Sequence, residues 1–341
     1  MRTARLDEPA RRGAHGSRLR WLSDRAASGA VLAGAVLTAA FFIAASQAHA
    51  VEPRLHKLAA AGRISDVARL LEAGSSASSK DERGVTALMQ ASMAGRPDIA
   101  SLLLSKGADV NARDDQGFTA LSLSPSAAMS ALLLDHGAEP NARSGDIASP
   151  LYFAVSAGRR DQVRLLIARG ADVNRRRLDR HGRRDDAILF AAISGNDLQM
   201  AELLITQGAV VNLQGESDTP LHRAAAFGQS RMVELLLAHG AAVNASAAGQ
   251  TPLHGSETVD VARVLLAHGA NVNATSTCGF TPLDVARTGS HKAELAAFLE
   301  ERGAKPSIQT EEQPLPCSIL PDTAVPASKT LRPLPDSSAG R

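Results

Sequence analysis

The sequence predicts an all-α solenoid built from about eight helix-turn-helix repeats, and three observations support this. Glycines follow apolar, helix-like segments at a nearly constant spacing, short sequence words recur in register with them, and aromatic residues make up only 3% of the chain. The glycines are Gly74, Gly107, Gly137, Gly170, Gly208, Gly240, Gly269 and Gly303, spaced by 33, 30, 33, 38, 32, 29 and 34 residues. Thin alanine- and leucine-rich helices that stack in one dimension suit this pattern.

Each repeat is predicted to contain two helices and a finger-like turn, as the sixth copy illustrates. Thr219 followed by Pro220 is typical of a helix N-cap with proline at the first helical position. Gly228 ends a short first helix, and the apolar run 232–237 predicts a second. Gly240 then occupies the position of a left-handed C-terminal cap.

The recurring words are similar to those of a known family. They are "TPLH" at Thr219 and Thr251, "SPLY" at Ser149, "TPLD" at Thr281, and the finger starts "GADVN", "GAAVN" and "GANVN". With a period near 33 residues, they resemble the ankyrin repeat over roughly residues 55–305. The resemblance implies protein binding on a concave face lined by the fingers and the exposed side of the first helices. It does not identify a partner.

Several copies depart from the pattern. The first copy lacks the threonine-proline start, as expected of a terminal capping repeat. The third and seventh copies are each three residues short between the motif leucine and the cap glycine, so their helices or inner turns should be abbreviated. The fifth copy carries the insertion "NRRRLDRHGRRDD", which lengthens its finger.

The chain is predicted to divide into a signal peptide (1–50), a repeat domain (51–305) and a proline-rich disordered tail (306–341). An arginine-rich start precedes the apolar run 30–45, and Ala48 and Ala50 form an A-x-A cleavage site. The run reaches only about 24 Å, short of a hydrocarbon core of roughly 30 Å. We therefore expect an exported bacterial protein, periplasmic or secreted. The alternative is an uncleaved inner-membrane anchor that faces the periplasm.

Charge argues against general nucleic-acid binding. The full chain carries +2, and residues 1–50 hold seven arginines and three acidic residues, which leaves the rest near −2. Such a chain lacks the broad positive field that phosphate contacts require. The exception is a basic finger with Arg176, Arg177 and Arg180. It is either a solvated loop or a contact for an acidic protein patch or an anionic lipid headgroup.

The two cysteines lie far apart in the sequence, Cys278 in the last finger and Cys317 in the tail. In an oxidising compartment they are candidates for a disulfide, and two unpaired thiols are the alternative.

The histidines are predicted to be structural. His56, His222 and His254 follow the motif leucine, where a histidine can bridge backbone groups of adjacent repeats. His136, His239 and His268 precede cap glycines, where an imidazole interacts with helix carbonyls. No carboxylate or second histidine recurs with them, and no phosphate loop or nucleophile motif is present. We therefore expect no catalysis, cofactor or metal. The competing hypothesis, from a different functional class, is an enzyme or metal carrier that uses these histidines.

The remaining candidates for function lie on the surface, where the ankyrin resemblance places partner-binding residues. They are Met93, Phe153, Phe190, Ile193, Arg223 and Phe227. Packing between repeats is the alternative for Phe153 and Phe190. We expect Met93, Ile193 and Phe227 to be exposed and aligned in one row, with Arg223 orienting an acidic rim on the partner. The resulting expectation is a non-catalytic scaffold or modulator of another protein, or alternatively a membrane-anchored adaptor.

Overall fold

A computed structural model describes residues 54–142, 149–178, 184–215, 218–289 and 292–307. These ranges fold into α-helices stacked as eight repeats, with two short strands, so the predicted helical solenoid is confirmed. The helices are α1 Arg54–Ala60, α2 Ile64–Glu72, α3 Ala87–Met93, α4 Pro97–Ser105, α5 Ala127–Asp135, α6 Pro150–Ser156, α7 Arg160–Ala168, α8 Ile188–Ser194, α9 Leu198–Thr206, α10 Pro220–Ala226, α11 Ser230–Ala238, α12 Val259–Ala267, α13 Pro282–Thr288 and α14 Ala293–Glu301. The strands are β1 Arg176–Leu178 and β2 Arg184–Ala187.

Four of the first helices, α3, α6, α10 and α13, begin at a threonine or serine side chain, as the sequence words predict. Thr219 accepts a hydrogen bond from the backbone N–H of His222, and Ser149 accepts one from Tyr152. These bonds satisfy backbone donors that have no partner within the helix. Each second helix ends at a glycine with positive φ, for example +83° at Gly240. Caps of both kinds therefore fix the ends of short helices that would be marginal in isolation.

A row of leucines, one from each of seven second helices, runs through the core. In seven repeats the leucine four positions before the cap glycine is fully buried between neighbouring helices. These residues are Leu103, Leu133, Leu166, Leu204, Leu236, Leu265 and Leu299. Each repeat thus buries its apolar side on its neighbours, and stability is distributed along the stack.

An asparagine at the start of each finger links that repeat to the next. Its side-chain amide donates to the carbonyl of the following cap glycine, and its Oδ1 accepts from the backbone N–H two residues beyond that glycine, at 2.7 to 2.9 Å. The donor pairs are Asn111–Gly137 (3.0 Å), Asn141–Gly170 (2.7 Å), Asn174–Gly208 (2.9 Å), Asn212–Gly240 (2.8 Å), Asn244–Gly269 (2.9 Å) and Asn273–Gly303 (3.2 Å). In the first repeat Ser78 makes both contacts through its hydroxyl. We call this series the asparagine ladder.

The third and seventh repeats are abbreviated in their first helices, as their length predicts. Residues 120–123 and 252–255 form only a turn, whereas the second helices α5 and α12 keep nine residues each. The missing residues are therefore taken from the first helix and inner turn, and the leucine layer of the second helices is preserved.

The insertion in the fifth finger forms a β-hairpin. Strands β1 and β2 pair antiparallel, with Arg176 opposite Ala187. The tip with Arg180, and the side chains of Arg176 and Arg177, lie outside the described residues. The binding role of this basic finger therefore stays a prediction.

Other predicted segments also fall outside the described ranges, namely the signal peptide and the tail from residue 308 onward. Cys278 takes part in a disulfide, but Cys317 lies in the undescribed part, so the pairing of these two cysteines stays a prediction. Within the described ranges no helix has both the length and the apolar character needed to cross a bilayer.

The asparagine ladder generates a stability prediction. Replacing Asn212 with alanine removes two hydrogen bonds between repeats and leaves the Gly240 carbonyl without its donor. We expect the free energy of unfolding, measured by urea denaturation, to fall by about 1 to 3 kcal/mol. Gln199→Ala, on an exposed position of α9, is the control and should change it by less than about 0.5 kcal/mol. An equal loss in both variants would contradict the role of the ladder.

Candidate protein-binding surface

The histidines of the "TPLH" words join adjacent repeats. The Thr219 hydroxyl lies 2.8 Å from Nδ1 of His222, and Nε2 of His222 lies 3.0 Å from the carbonyl of Gln250 in the next finger. His254 repeats this geometry with Thr251 and the Phe280 carbonyl. A carbonyl can only accept, so Nε2 carries the proton and Nδ1 accepts from the threonine hydroxyl. The structural interpretation of these histidines is confirmed.

Burial favours the neutral form of both imidazoles. It lowers the pKa of His222 below 6.5, outweighing the bond to Gln250 and the nearby Asp218, which act in the opposite direction. It lowers the pKa of His254 in the same way. Their ring nitrogens are already engaged within the protein, which leaves them poorly placed to act as bases or metal ligands.

The second histidine series lies at helix C-termini, as predicted. Nδ1 of His136 donates to the Leu132 carbonyl and Nδ1 of His268 to the Val264 carbonyl, both at 2.9 Å. These contacts satisfy carbonyls of the last helical turn. In the described part of the chain, no three histidine, cysteine or acidic side chains converge as a metal site would require.

Phe227 is the most exposed large apolar side chain among the described residues. It is 49% exposed and lies at the C-terminal end of α10, the first helix of the sixth repeat. The seventh repeat, which follows it, has only a turn in place of a first helix. The expected exposure of Phe227 is confirmed.

A cluster of three aromatic side chains lies where the third and fourth repeats meet. The ring of Phe153 on α6 lies 5.7 Å from the ring of Phe118 and 6.4 Å from the ring of Tyr152. Phe118 ends the finger that connects the second repeat to the third. All three side chains are half-buried. Both alternatives for Phe153 therefore hold in part, because the ring packs between repeats and still presents an apolar edge to solvent.

Two other candidates are buried, and the expectation that Ile193 is exposed is wrong. Ile193 is 0% exposed and Phe190 is 1% exposed. Phe190 occupies the histidine position of its repeat and packs against Gly215 of the next finger, where an added Cβ would lie 3.2 Å from the ring. Neither residue contacts a partner in the folded chain, and an aspartate at 193 would place an unpaired carboxylate in the core.

The error over Ile193 has a specific origin in the inner turn of the fifth repeat. The positive-φ position that Gly228 fills in the sixth repeat, at +67°, is filled here by Asn196, at +50°. Asparagine is one of the few residues other than glycine that adopt this conformation readily. Gly195, one residue earlier, resembles the inner glycine in sequence, but Asn196 holds that position, so Ile193 corresponds to buried Ala225.

The predicted row of three apolar residues is also wrong. Met93 aligns with Ala226, because Gly95 and Gly228 occupy the same position, and it is half-buried. Phe227 therefore aligns with Ala94 rather than with Met93. Among the candidates, the apolar side chains that reach solvent are therefore the exposed Phe227 and the half-buried Phe153 of the aromatic cluster, which lie two repeats apart.

Arg223 is engaged within the protein. Its guanidinium lies 2.6 Å from the Asp218 carboxylate and 4.9 Å above the centre of the Phe190 ring. Both side chains of the ion pair are largely buried, with exposures of 11% and 18%. Arg223 therefore joins the fifth and sixth repeats, and the expectation that it orients an acidic rim on a partner is wrong.

The chain was compared with known proteins. A family model described as ankyrin repeats (3 copies) matches residues 55–144, 151–247 and 188–275. A fowlpox virus ankyrin repeat protein is 38% identical over 73 residues, which cover 21% of this chain and only 12% of the viral protein.

Solved structures show the same similarity. The ankyrin repeat domain of human ASB11 matches with a TM-score of 0.57 and 27% identity, over 64% of this chain and 99% of that one. The ankyrin repeat domain of Bcl-3, a member of the IkappaB protein family, matches with a TM-score of 0.58 and 29% identity, over 64% and 100% of the two chains.

The buried histidines predict a pH dependence of stability. The unfolded chain takes up protons at His222 and His254 as the pH falls below about 6.5, whereas the folded chain resists this because burial lowers both pKa values. We expect the free energy of unfolding to decrease as the pH falls through this range. At higher pH these two histidines are neutral in both the folded and the unfolded chain, so they should make no pH-dependent contribution. The double variant His222→Gln, His254→Gln should show a smaller slope, measured by urea denaturation between about pH 5 and about 8. His239→Gln removes an exposed histidine as the control, and an equal reduction there would contradict the assignment.

Proposed function

Because this chain belongs to the ankyrin-repeat family, we propose that it is a non-catalytic scaffold or modulator that binds another protein through the exposed side of its first helices. Ankyrin repeats generally mediate binding between proteins. The repeat stack supplies a rigid, extended surface, and the side chains on that surface decide which partner fits.

The observation that carries this proposal is the exposure of Phe227. A phenylalanine with 49% of its surface in water at the end of a first helix contributes little to the fold. Burying it on a partner gains roughly 25 cal/mol per Å² of apolar surface removed from water. Aromatic side chains are also enriched among the residues that dominate binding energies.

The aromatic cluster at Phe118, Tyr152 and Phe153 supports the same surface. It lies two repeats away from Phe227, a separation of about 20 Å if helices pack at about 10 Å intervals. A partner that contacts both places would cover repeats four to six. The engaged state of His222 and His254 supports a binding rather than a catalytic role.

We also propose that the protein acts in the bacterial periplasm or is secreted. The arginine-rich start, the apolar run 30–45 and the A-x-A site at Ala48 and Ala50 support export. The disulfide at Cys278 fits an oxidising compartment, because such bonds are rare in the reducing cytosol. The alternative is an adaptor that keeps the apolar run as a membrane anchor.

Phe227→Asp tests the binding surface. We expect it to weaken capture of the partner from an envelope fraction by about 2 kcal/mol, roughly thirtyfold, with little change in thermal stability. Ile64→Asp is the matched control, because Ile64 is 40% exposed but lies at the start of a second helix, away from the fingers and the first helices. It should leave capture unchanged. Equal effects of the two variants would show that exposed apolar surface in general, and not this site, drives binding.

N-terminal sequencing of the protein from cells tests export. Cleavage after Ala50 gives a chain that begins at Val51 and lacks Trp21, the only tryptophan. Its fluorescence should then come from Tyr152. A chain that starts at Met1 and emits at tryptophan wavelengths would contradict cleavage and support the anchored alternative.

A further inference from the structure

The two abbreviated repeats share a feature at their inner turns. In each, a serine lies two residues before the N-cap of the second helix. Its backbone carbonyl accepts a hydrogen bond from a cationic side chain of the following repeat. Nη1 of Arg159 donates to the Ser124 carbonyl at 2.9 Å, and Nζ of Lys292 donates to the Ser256 carbonyl at 3.3 Å. Arg159 and Lys292 both occupy the N-cap of the second helix in their repeats. The two sites are therefore equivalent by position.

The two sites differ in their counter-ion. Lys292 also forms an ion pair with Glu257, at 2.8 Å, from the abbreviated seventh repeat. The position equivalent to Glu257, directly before the N-cap of the second helix, is Pro125 in the third repeat. No described carboxylate lies within ion-pairing distance of Arg159. Burial lowers the pKa of Arg159, which reflects a half-buried cation without an anion beside it.

The surface beside Arg159 is open. A notch of about 510 Å³ lies between the third and fourth repeats and is lined by Pro125, Ser126, Ala127, Gly158, Arg159, Arg160, Asp161, Gln162 and Arg164. Arg160 pairs with Asp197 at 2.8 Å, and the Asp161 side chain is 91% exposed and lies 3.4 Å from Arg164. The notch therefore has a positive wall, and Arg159 is its only arginine without an acidic partner among the described residues.

Two polar atoms of residues that line the notch are buried without hydrogen-bond partners in the described structure. Gln162 is 3% exposed, and its Oε1, an acceptor, has no hydrogen bond, although its amide nitrogen contacts Ser124 and Ser130. Nε of Arg160, a donor, is also buried without a partner. At the equivalent site Glu257 is presented to Lys292 by residues 255–258, which lie outside any helix, so an extended peptide that carries a carboxylate reproduces this arrangement better than a simple anion does.

We propose that the notch binds a glutamate or aspartate side chain presented by an extended segment of another polypeptide, with Arg159 as its counter-ion. The incoming carboxylate takes the place that Glu257 fills beside Lys292, and the N-terminal end of α7 favours the same negative charge. This inference rests on the proposed protein-binding function. It assigns acidic recognition to a site separate from Phe227.

The chain itself supplies the probe for a test. Residues 255–259, with the sequence "GSETV", present Glu257 to Lys292. We expect this blocked pentapeptide, titrated into the purified protein and followed by NMR amide shifts, to perturb residues around Arg159. The same peptide with glutamine in place of glutamate should bind at least about tenfold more weakly. Equal binding of the two peptides would overturn the proposal, as would equal shifts from acetate at the same carboxylate concentration.

Variants locate the site. Pro125→Glu provides an internal counter-ion equivalent to Glu257 and should weaken peptide binding at least about fivefold, while keeping the bond from Arg159 to Ser124. Arg159→Gln should weaken it similarly, and Arg159→Lys should retain most of it, because lysine performs the equivalent role at position 292. Lys292→Gln is the matched control and should leave binding unchanged. Undiminished affinity in Pro125→Glu would overturn the proposal even if Arg159→Gln fails to fold.

Phe227→Asp separates this inference from the proposed function. It should leave the peptide titration unchanged while weakening capture of the full partner. If capture is insensitive to Phe227→Asp but the pentapeptide still binds at Arg159, the proposed surface fails and the carboxylate site stands. If the peptide does not bind but capture depends on Phe227, the reverse holds.

Discussion

The bridging side-chain amide of the asparagine ladder is the interaction on which the rest of the stack depends. Short helices leave many backbone groups without partners at their ends, and a solenoid has no distant part of the chain to satisfy them. At six of the seven described boundaries an asparagine meets this need, since its amide group both donates and accepts. Asn212, for example, holds both the Gly240 carbonyl and the Ala242 N–H. The spacing this enforces brings Leu236 and the other core leucines into contact with their neighbours.

The sequence was sufficient to predict the repeats, their capping residues and the role of the "TPLH" histidines. Each depends on local rules, namely helix capping, proline at the first helical turn and a fixed period. The asparagine ladder was missed, although an asparagine recurs four residues after most cap glycines. Its recurrence was visible, but its role depends on where the following repeat places a carbonyl and an N–H group.

The candidate surface was less predictable, for two physical reasons. Asn196 adopts the left-handed conformation expected of glycine, so the repeat positions around Ile193 differ by one residue from those that the glycine pattern predicts. Because adjacent residues of a short helix differ completely in burial, this one-residue difference changes Ile193 from an exposed to a buried position. The engagement of Arg223 is not visible in the helix sequence, because its partner Asp218 lies outside the helix, in the finger that folds back over Phe190. Contacts across a finger depend on tertiary geometry that a repeat motif does not encode.

The abbreviated first helices also affect how strongly neighbouring repeats are held together. Where a repeat has two helices, its neighbours are held by two rows of packed side chains as well as by the ladder. At the third and seventh repeats one of those rows is reduced to a turn, with single cations, Arg159 and Lys292, reaching across the gap. A chain whose stability is a sum of nearest-neighbour terms bends and opens first where those terms are smallest. We therefore expect the solenoid to be most compliant at these two repeats, with repeats four to six, which carry Phe227, lying between them.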